Sequence, residues 1–249
     1  MKFIKTSAML MALIIGFFAV DFTTTASNLS EAKPIVQKNE YNESYGSALF
    51  STEELDLIKA QATNGKIGYV RSSELNGVSP SNPQEALNII DEQRTIPVYE
   101  SDGITIVGEF IIKSENAVPP TLSRTIEASG TKTYTSLGSG ILYHNQATVS
   151  INNNNSSYQS VQSRVLASAD RTVSSGWLGV FPQLYNSYGI LVASGGYTYN
   201  SSPCISIEVP ATYRTSSGAY YAFGYTRYWD NTTNSYVTRT ASFSPVAQF

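Results

Sequence analysis

Tyr221-Ala222-Phe223-Gly224-Tyr225-Thr226-Arg227-Tyr228-Trp229 places Tyr221, Phe223, Tyr225, Arg227 and Trp229 on one side of an extended chain, because successive strand side chains point to opposite faces. A nearly continuous aromatic row of this kind has two readings. Aromatic side chains dominate β-sheet cores and pair across strands, which makes core packing the default. Facing outward, the same five residues are a candidate ligand platform for glycan or for a membrane interface.

Working outward from this run, no helical period persists for more than a turn beyond Thr131, and alternating stretches recur between turn clusters. Strands are predicted at residues 133–137, 140–151, 157–167, 177–185, 189–198, 205–209, 219–229 and 235–242. Between them lie runs such as Asn152-Asn153-Asn154-Asn155, Asn186-Ser187-Tyr188-Gly189 and Ser216-Ser217-Gly218, whose residue types favour turns. In 161–167, Val161, Ser163, Val165 and Ala167 share one side, with Gln162, Arg164 and Leu166 on the other. About eight strands at such spacing predict a mainly β fold with a C-terminal antiparallel β-sandwich, preceded by a small α+β module.

Composition shifts near Ser129-Gly130, after the Pro119-Pro120 break. Residues 28–129 carry 15 acids against 8 bases, whereas residues 130–249 carry 3 acids, 6 bases and 13 tyrosines. That shift predicts a boundary. The expected organisation is a signal peptide over 1–26, a flexible leader over 27–50, an acidic α+β module over 51–115, a linker over 116–130 and a tyrosine-rich β-sandwich domain over 131–249. In the module, Ser51 three residues before Glu54 has capping-box spacing and predicts a helix over 51–62. Residues 66–70 read as a strand. Asn82, Pro83 and Glu85 predict a second helix start, and Asp102-Gly103 between two β-rich runs predicts a hairpin. The opposite net charges of the two halves permit the acidic module to dock on the basic remainder as an accessory or pro-segment.

The run Ile67-Gly68-Tyr69-Val70-Arg71-Ser72-Ser73-Glu74-Leu75, the Pro83-Gln84-Glu85-Ala86-Leu87 helix start and the Ile96-Pro97-Val98-Tyr99, Ser101-Asp102-Gly103 and Val107-Gly108-Glu109-Phe110 hairpin resemble a segment found behind signal peptides in secreted proteins of Bacillus-type Gram-positive bacteria. The resemblance covers under a quarter of the chain. It implies export and lineage, and no activity.

Export is also read from the residues. Lys2 and Lys5 form a positive n-region, residues 8–20 an apolar run of 13, and Thr24-Thr25-Ala26 a small-residue cleavage site. At about 1.5 Å per residue that run is too short for a hydrocarbon core of roughly 30 Å. No cysteine stands directly after the cleavage site to take a lipid, and residues 242–249 have neither an apolar tail nor a basic stop. The mature chain is expected to have no transmembrane segment and to be secreted, extracellular or loosely held at the cell wall. Cys204 is the only cysteine, so no intramolecular disulfide is expected, and its thiol reads as an inert small hydrophobe.

Several chemistries are disfavoured. A Ser-His-Asp triad would have to use His144, the sole histidine, with Asp170 or Asp230, and no Gly-x-Ser-x-Gly elbow is present. Transition-metal sites need several Cys or His ligands, calcium loops need an Asp-rich spacing this chain lacks, and no phosphate cradle links a strand to a helix. No cofactor is expected. A net negative mature chain disfavours nucleic acid. The expected function is a secreted, non-enzymatic protein that binds at the bacterial surface or in the medium, with cell-wall glycan or a surface protein as partner. Two alternatives remain open. One is a bacteriocin-like toxin inserting the 140–167 hairpin into membranes. The other is a carboxylate-dependent hydrolase using two of Asp170, Glu208 and Asp230.

Overall fold

The computed structural model describes residues 36–89, 93–113, 125–152 and 159–248. The expected signal peptide, residues 27–35 of the expected leader, residues 114–115 of the expected module, residues 116–124 of the expected linker and asparagines 153–155 lie outside them. The first half contributes β1 (Gln37–Lys38), β2 (Ser44–Gly46), β3 (Leu57–Gln61), β4 (Ile67–Arg71), β5 (Arg94–Tyr99) and β6 (Ile106–Ile112). Two one-turn helices, α1 (Ser72–Asn76) and α2 (Pro83–Leu87), join β4 to β5. The second half adds β7 (Thr125–Ser129), β8 (Thr133–Ser136), β9 (Leu142–Asn152), β10 (Gln159–Val173), β11 (Leu178–Asn186) and β12 (Leu191–Ser194). The chain closes with β13 (Thr198–Tyr199), β14 (Cys204–Thr215), β15 (Ala219–Asp230), β16 (Ser235–Ala241) and β17 (Ala247–Gln248). The fold is mainly β, and each of the eight predicted C-terminal strands has a counterpart.

Two sheets share these strands. A five-stranded antiparallel sheet runs β14-β10-β9-β7 with β8 also on β9, and a twelve-stranded sheet runs β1-β2-β3-β4-β5-β6-β12-β11-β15-β16, with β13 also on β11 and β17 also on β15. Alternation along each strand supplies the core between them. Val149, Val161, Val165 and Ala167 from the smaller sheet meet Leu178, Val180, Leu184, Ala222 and Tyr228 from the larger. The valines and leucines are fully buried, and each such burial contributes about 1.5–3 kcal/mol. Gly224 lets β15 fit here, since a Cβ would collide with the Phe181 carbonyl and lie 2.7 Å from Val165 Cγ2. Polar groups also cross the same interface. The Asn145 amide donates to Thr226 Oγ1 at 2.9 Å, and the Ser163 hydroxyl donates to the Phe223 carbonyl at 3.3 Å. Pro210 sits inside β14, which among the described strands pairs with β10 alone, an edge position that tolerates a missing N–H.

The long sheet curls on itself in the first half. β3, β4, β5 and β6 pair in series, and β12 lies parallel to both ends, with Leu191 opposite Ala60 and Ser194 opposite Ile112. The result is a closed five-stranded barrel filled by Ala60, Val70, Val98, Phe110, Ile112 and Leu191. Its last strand comes from beyond the compositional break at 129–130, so the acidic and tyrosine-rich halves share a sheet, and residues 34–249 cluster as one unit.

The local signals of the first half divide. In α2 the Asn82 side chain accepts from the Glu85 amide at 2.9 Å, as its N-cap spacing predicts. At the β5–β6 turn Gly103 has φ 70°, and Asp102 Oδ1 accepts from the Ile104 and Thr105 amides at 2.8 and 2.9 Å. The helix predicted over 51–62 is not formed, because residues 57–61 are β3. There the Ser51 hydroxyl accepts from the Glu53 amide at 3.1 Å, a turn bond rather than a helix cap. Leu57, Ile58 and Ala60 are all buried, and β3 pairs with β2, β4 and β12. Tertiary pairing outweighs one cap here. The stretch expected as a leader carries β1, β2 and a 3-10 turn at Ala48–Phe50. Arg71 holds it through a 2.5 Å ion pair with Glu43, and the Ser47 hydroxyl donates to the Gly189 carbonyl at 2.5 Å.

Because β12 completes the barrel, Leu191→Ala should loosen both halves. The expected cost is about 2–5 kcal/mol in urea unfolding, with far-ultraviolet circular dichroism and tryptophan fluorescence shifting together. Separate midpoints for the two probes would contradict a shared unit.

Candidate functional site

The outer face of the long sheet is built by the antiparallel pair β11 and β15. Phe181 stands opposite Tyr225, Gln183 opposite Phe223 and Tyr185 opposite Tyr221. Alternation puts these residues on the side away from the smaller sheet, together with Arg227 and Trp229. Rings then run in contact across the face. Phe243 stacks on Phe223 with centroids 4.1 Å apart, Phe223 meets Tyr225 edge-on at 5.2 Å, and Phe181 lies 4.8 Å from Tyr197. Tyr199 and Trp229 both contact Tyr236, at 5.5 and 5.1 Å.

Most of this face is roofed by the first half of the chain. Ala48, Leu49, Leu55 and Ile58 join Phe181, Tyr185, Tyr197 and Phe223 in a second hydrophobic core. The acidic half does lie on the tyrosine-rich half, but the contact is mainly apolar. Where the roof stops, a cleft of about 490 Å³ opens between residues 51–55 and the sheet, floored by Gln183, Tyr197, Phe223, Tyr225 and Arg227. Of the five stripe residues predicted as a platform, the cleft takes Phe223, Tyr225 and Arg227. Tyr221 is half-buried opposite Tyr185, and Trp229 is buried against Tyr236.

The cleft's charged and polar groups are held in place. The Arg227 guanidinium stacks 3.8 Å from the Tyr197 centroid, a cation–π contact, and donates to the Tyr199 hydroxyl at 3.0 Å. Glu53 and Glu54 are exposed at the mouth. Burial, and secondarily the Glu54 carboxylate, raises the Tyr225 phenol. Gln183 is only 1% exposed. Its carbonyl oxygen accepts from the Tyr185 hydroxyl at 3.0 Å, while its amide nitrogen has no hydrogen-bond partner among the described residues. An orphaned buried donor costs about 1–3 kcal/mol. The sequence signal for Gln183 was an amide between two aromatics, Phe181 and Tyr185, at strand spacing. Tyr197, Phe243 and the 51–55 segment carry no comparable local signal, since they reach the cleft through the tertiary fold.

The other candidate residues lie elsewhere, each with a partner of its own. Asp170 pairs with Arg171 at 2.9 Å, Glu208 lies 3.8 Å from Arg164, and Asp230 accepts from the Thr232 amide and hydroxyl. Hydrogen bonds from these partners hold the Asp170 and Asp230 carboxyls below the usual carboxylate range. His144 is half-buried against Tyr134 at 5.6 Å, and burial followed by Lys132 lowers its pKa. Cys204 is half-buried at the edge of the sheet core. Among the described residues no group of three or more His, Cys, Asp or Glu side chains is placed to hold a metal, and no helix is long and apolar enough to cross a membrane. No protein-family model, curated protein or solved structure matches the chain.

Tyrosine burial has a pH consequence. Burial raises Tyr185, Tyr197, Tyr199 and Tyr228 above the ordinary value of 10.0 and pushes Tyr143 up to about 12. The fold therefore favours the neutral phenols. Their contribution is complete below pH 10 and is lost as pH rises through the folded-state values. Urea midpoints should hold steady from about pH 8 to pH 10 and fall steeply toward about pH 12. Midpoints unchanged across the upper interval would contradict this packing.

Proposed function

We propose that the protein is a secreted, non-enzymatic binding protein that acts at the bacterial surface or in the medium and holds a glycan chain in the aromatic cleft. Its second half is read as an antiparallel β-sandwich, and the barrel serves as the accessory module that roofs the binding face. The observation that carries this reading is the partial roofing of the stripe. Tyr225 and Arg227 remain half-exposed in a cleft of about 490 Å³ instead of being sealed like Trp229. Tyrosine offers a ring face for the apolar side of a sugar and a hydroxyl for its polar edge, and Arg227 supplies fixed donors beside it. Export is supported by the basic, apolar and small-residue sequence of residues 1–26.

A non-enzymatic role is supported by the carboxylates. Glycoside hydrolysis needs one carboxyl whose pKa is raised so that it can act as an acid. Asp170 and Asp230 are shifted the opposite way by their own partners, and the cleft's two acids, Glu53 and Glu54, stand exposed at its mouth.

Calorimetric titration with soluble cell-wall glycan fragments tests the proposal. Binding at micromolar concentration is expected, and Tyr225→Ala should weaken it by about tenfold or more, as for a central aromatic anchor. No binding to any wall glycan, or an unchanged affinity in Tyr225→Ala, would refute it.

A further inference from the structure

We infer that the glycan selected by the cleft carries N-acetyl groups, and that the Gln183 side-chain amide recognises the acetamido carbonyl. This rests on the reading of the cleft as a glycan site. The Gln183 carbonyl is already engaged by the hydroxyl of Tyr185, itself fully buried, so the amide is anchored at one end. The end left over is the NH2 group, which can only donate. It lacks a partner in a residue that is 1% exposed and lines the cleft. Seven buried side-chain atoms lack a partner among the described residues, and Gln183 Nε2 is the one whose residue lines this cleft, where an entering acceptor oxygen would satisfy it.

Charge narrows the acceptor. The cleft lining carries Glu53 and Glu54 against one cation, Arg227, which is already stacked on Tyr197 and bonded to Tyr199, so a ligand bearing phosphate or carboxylate meets net like charge on entry. The acceptor is therefore neutral. A sugar hydroxyl both donates and accepts, and would leave its own proton unpaired beside aromatic carbon. In an acetamido group the N–H points away from the carbonyl, so the oxygen can enter as an acceptor while the N–H stays toward the mouth, and the methyl group suits the apolar surroundings formed by Phe223, Phe243 and Leu55. One group thus satisfies both the donor and the rings.

The test compares tetra-N-acetylchitotetraose with cellotetraose, which has the same linkage and length but hydroxyls in place of the acetamido groups. Wild-type protein should bind the acetylated chain tighter by about tenfold or more, because a site built to hydrogen-bond a group rejects the analogue lacking it. Gln183→Met keeps length and apolar packing but removes the donor. It should bind the two chains alike, at the weaker cellotetraose level. Equal affinity of the wild type for both chains overturns the inference and leaves the glycan reading standing, as does a preference that survives in Gln183→Met. If the acetylated chain alone fails to bind, the inference falls and the glycan reading stands; if neither chain binds, both fall. Thermal unfolding of the variant checks that its fold is retained, and the wild-type comparison decides the matter without it.

Discussion

Both faces of the β11–β15 strand pair must be buried, and the rest of the architecture follows from that constraint. One face carries Leu178, Val180, Leu184, Ala222 and Tyr228 into the five-stranded sheet. The other carries Phe181, Tyr185 and Phe223, too much aromatic surface to leave in water. The chain's own first half covers it, and β12 keeps that cover in place by serving as the last strand of the barrel. The roof is therefore continuous with the sheet it protects.

This explains why the aromatic stripe was legible while its role was not. Period-two alternation in 219–229 and 161–167 located the strands and sorted their faces, because alternation is a local consequence of the pleat. The Asn82 cap and the Asp102-Gly103 turn were likewise readable, since their bonds close within three residues. The parallel pairings Leu191 with Ala60 and Ser194 with Ile112 join residues far apart in sequence, and no local pattern marks them. The same pairings decide the 57–61 segment against its helix-start signal. A choice between core and surface for the stripe was too coarse, because Trp229 is sealed while Tyr225 and Arg227 are left half-open.

The site depends on that incompleteness. A roof of hydrophobic residues alone would have closed over β15. Instead Leu55 and Ile58 pack down while Ser51, Thr52, Glu53 and Glu54 line a gap. The buried Gln183 amide nitrogen is a local cost that no group among the described residues offsets. Such local inconsistency is where function is expected, and among the described residues Gln183 is the one with an unpaired buried side-chain atom that also lines this cleft. The net charge difference between the halves plays a smaller part, since apolar contact does most of the docking and Glu53 and Glu54 stay exposed.

Native-state hydrogen exchange resolved along the chain addresses the shared sheet most directly, because amides open together where structure is cooperative. If β12 ties barrel and sheet into one unit, the amides of β3, β6, β11 and β15 should reach the same limiting protection and lose it at the same denaturant concentration. Barrel amides exchanging through a separate, lower-energy opening while β11 and β15 stay protected would contradict it, and the roofed cleft would then be a lid that opens by itself.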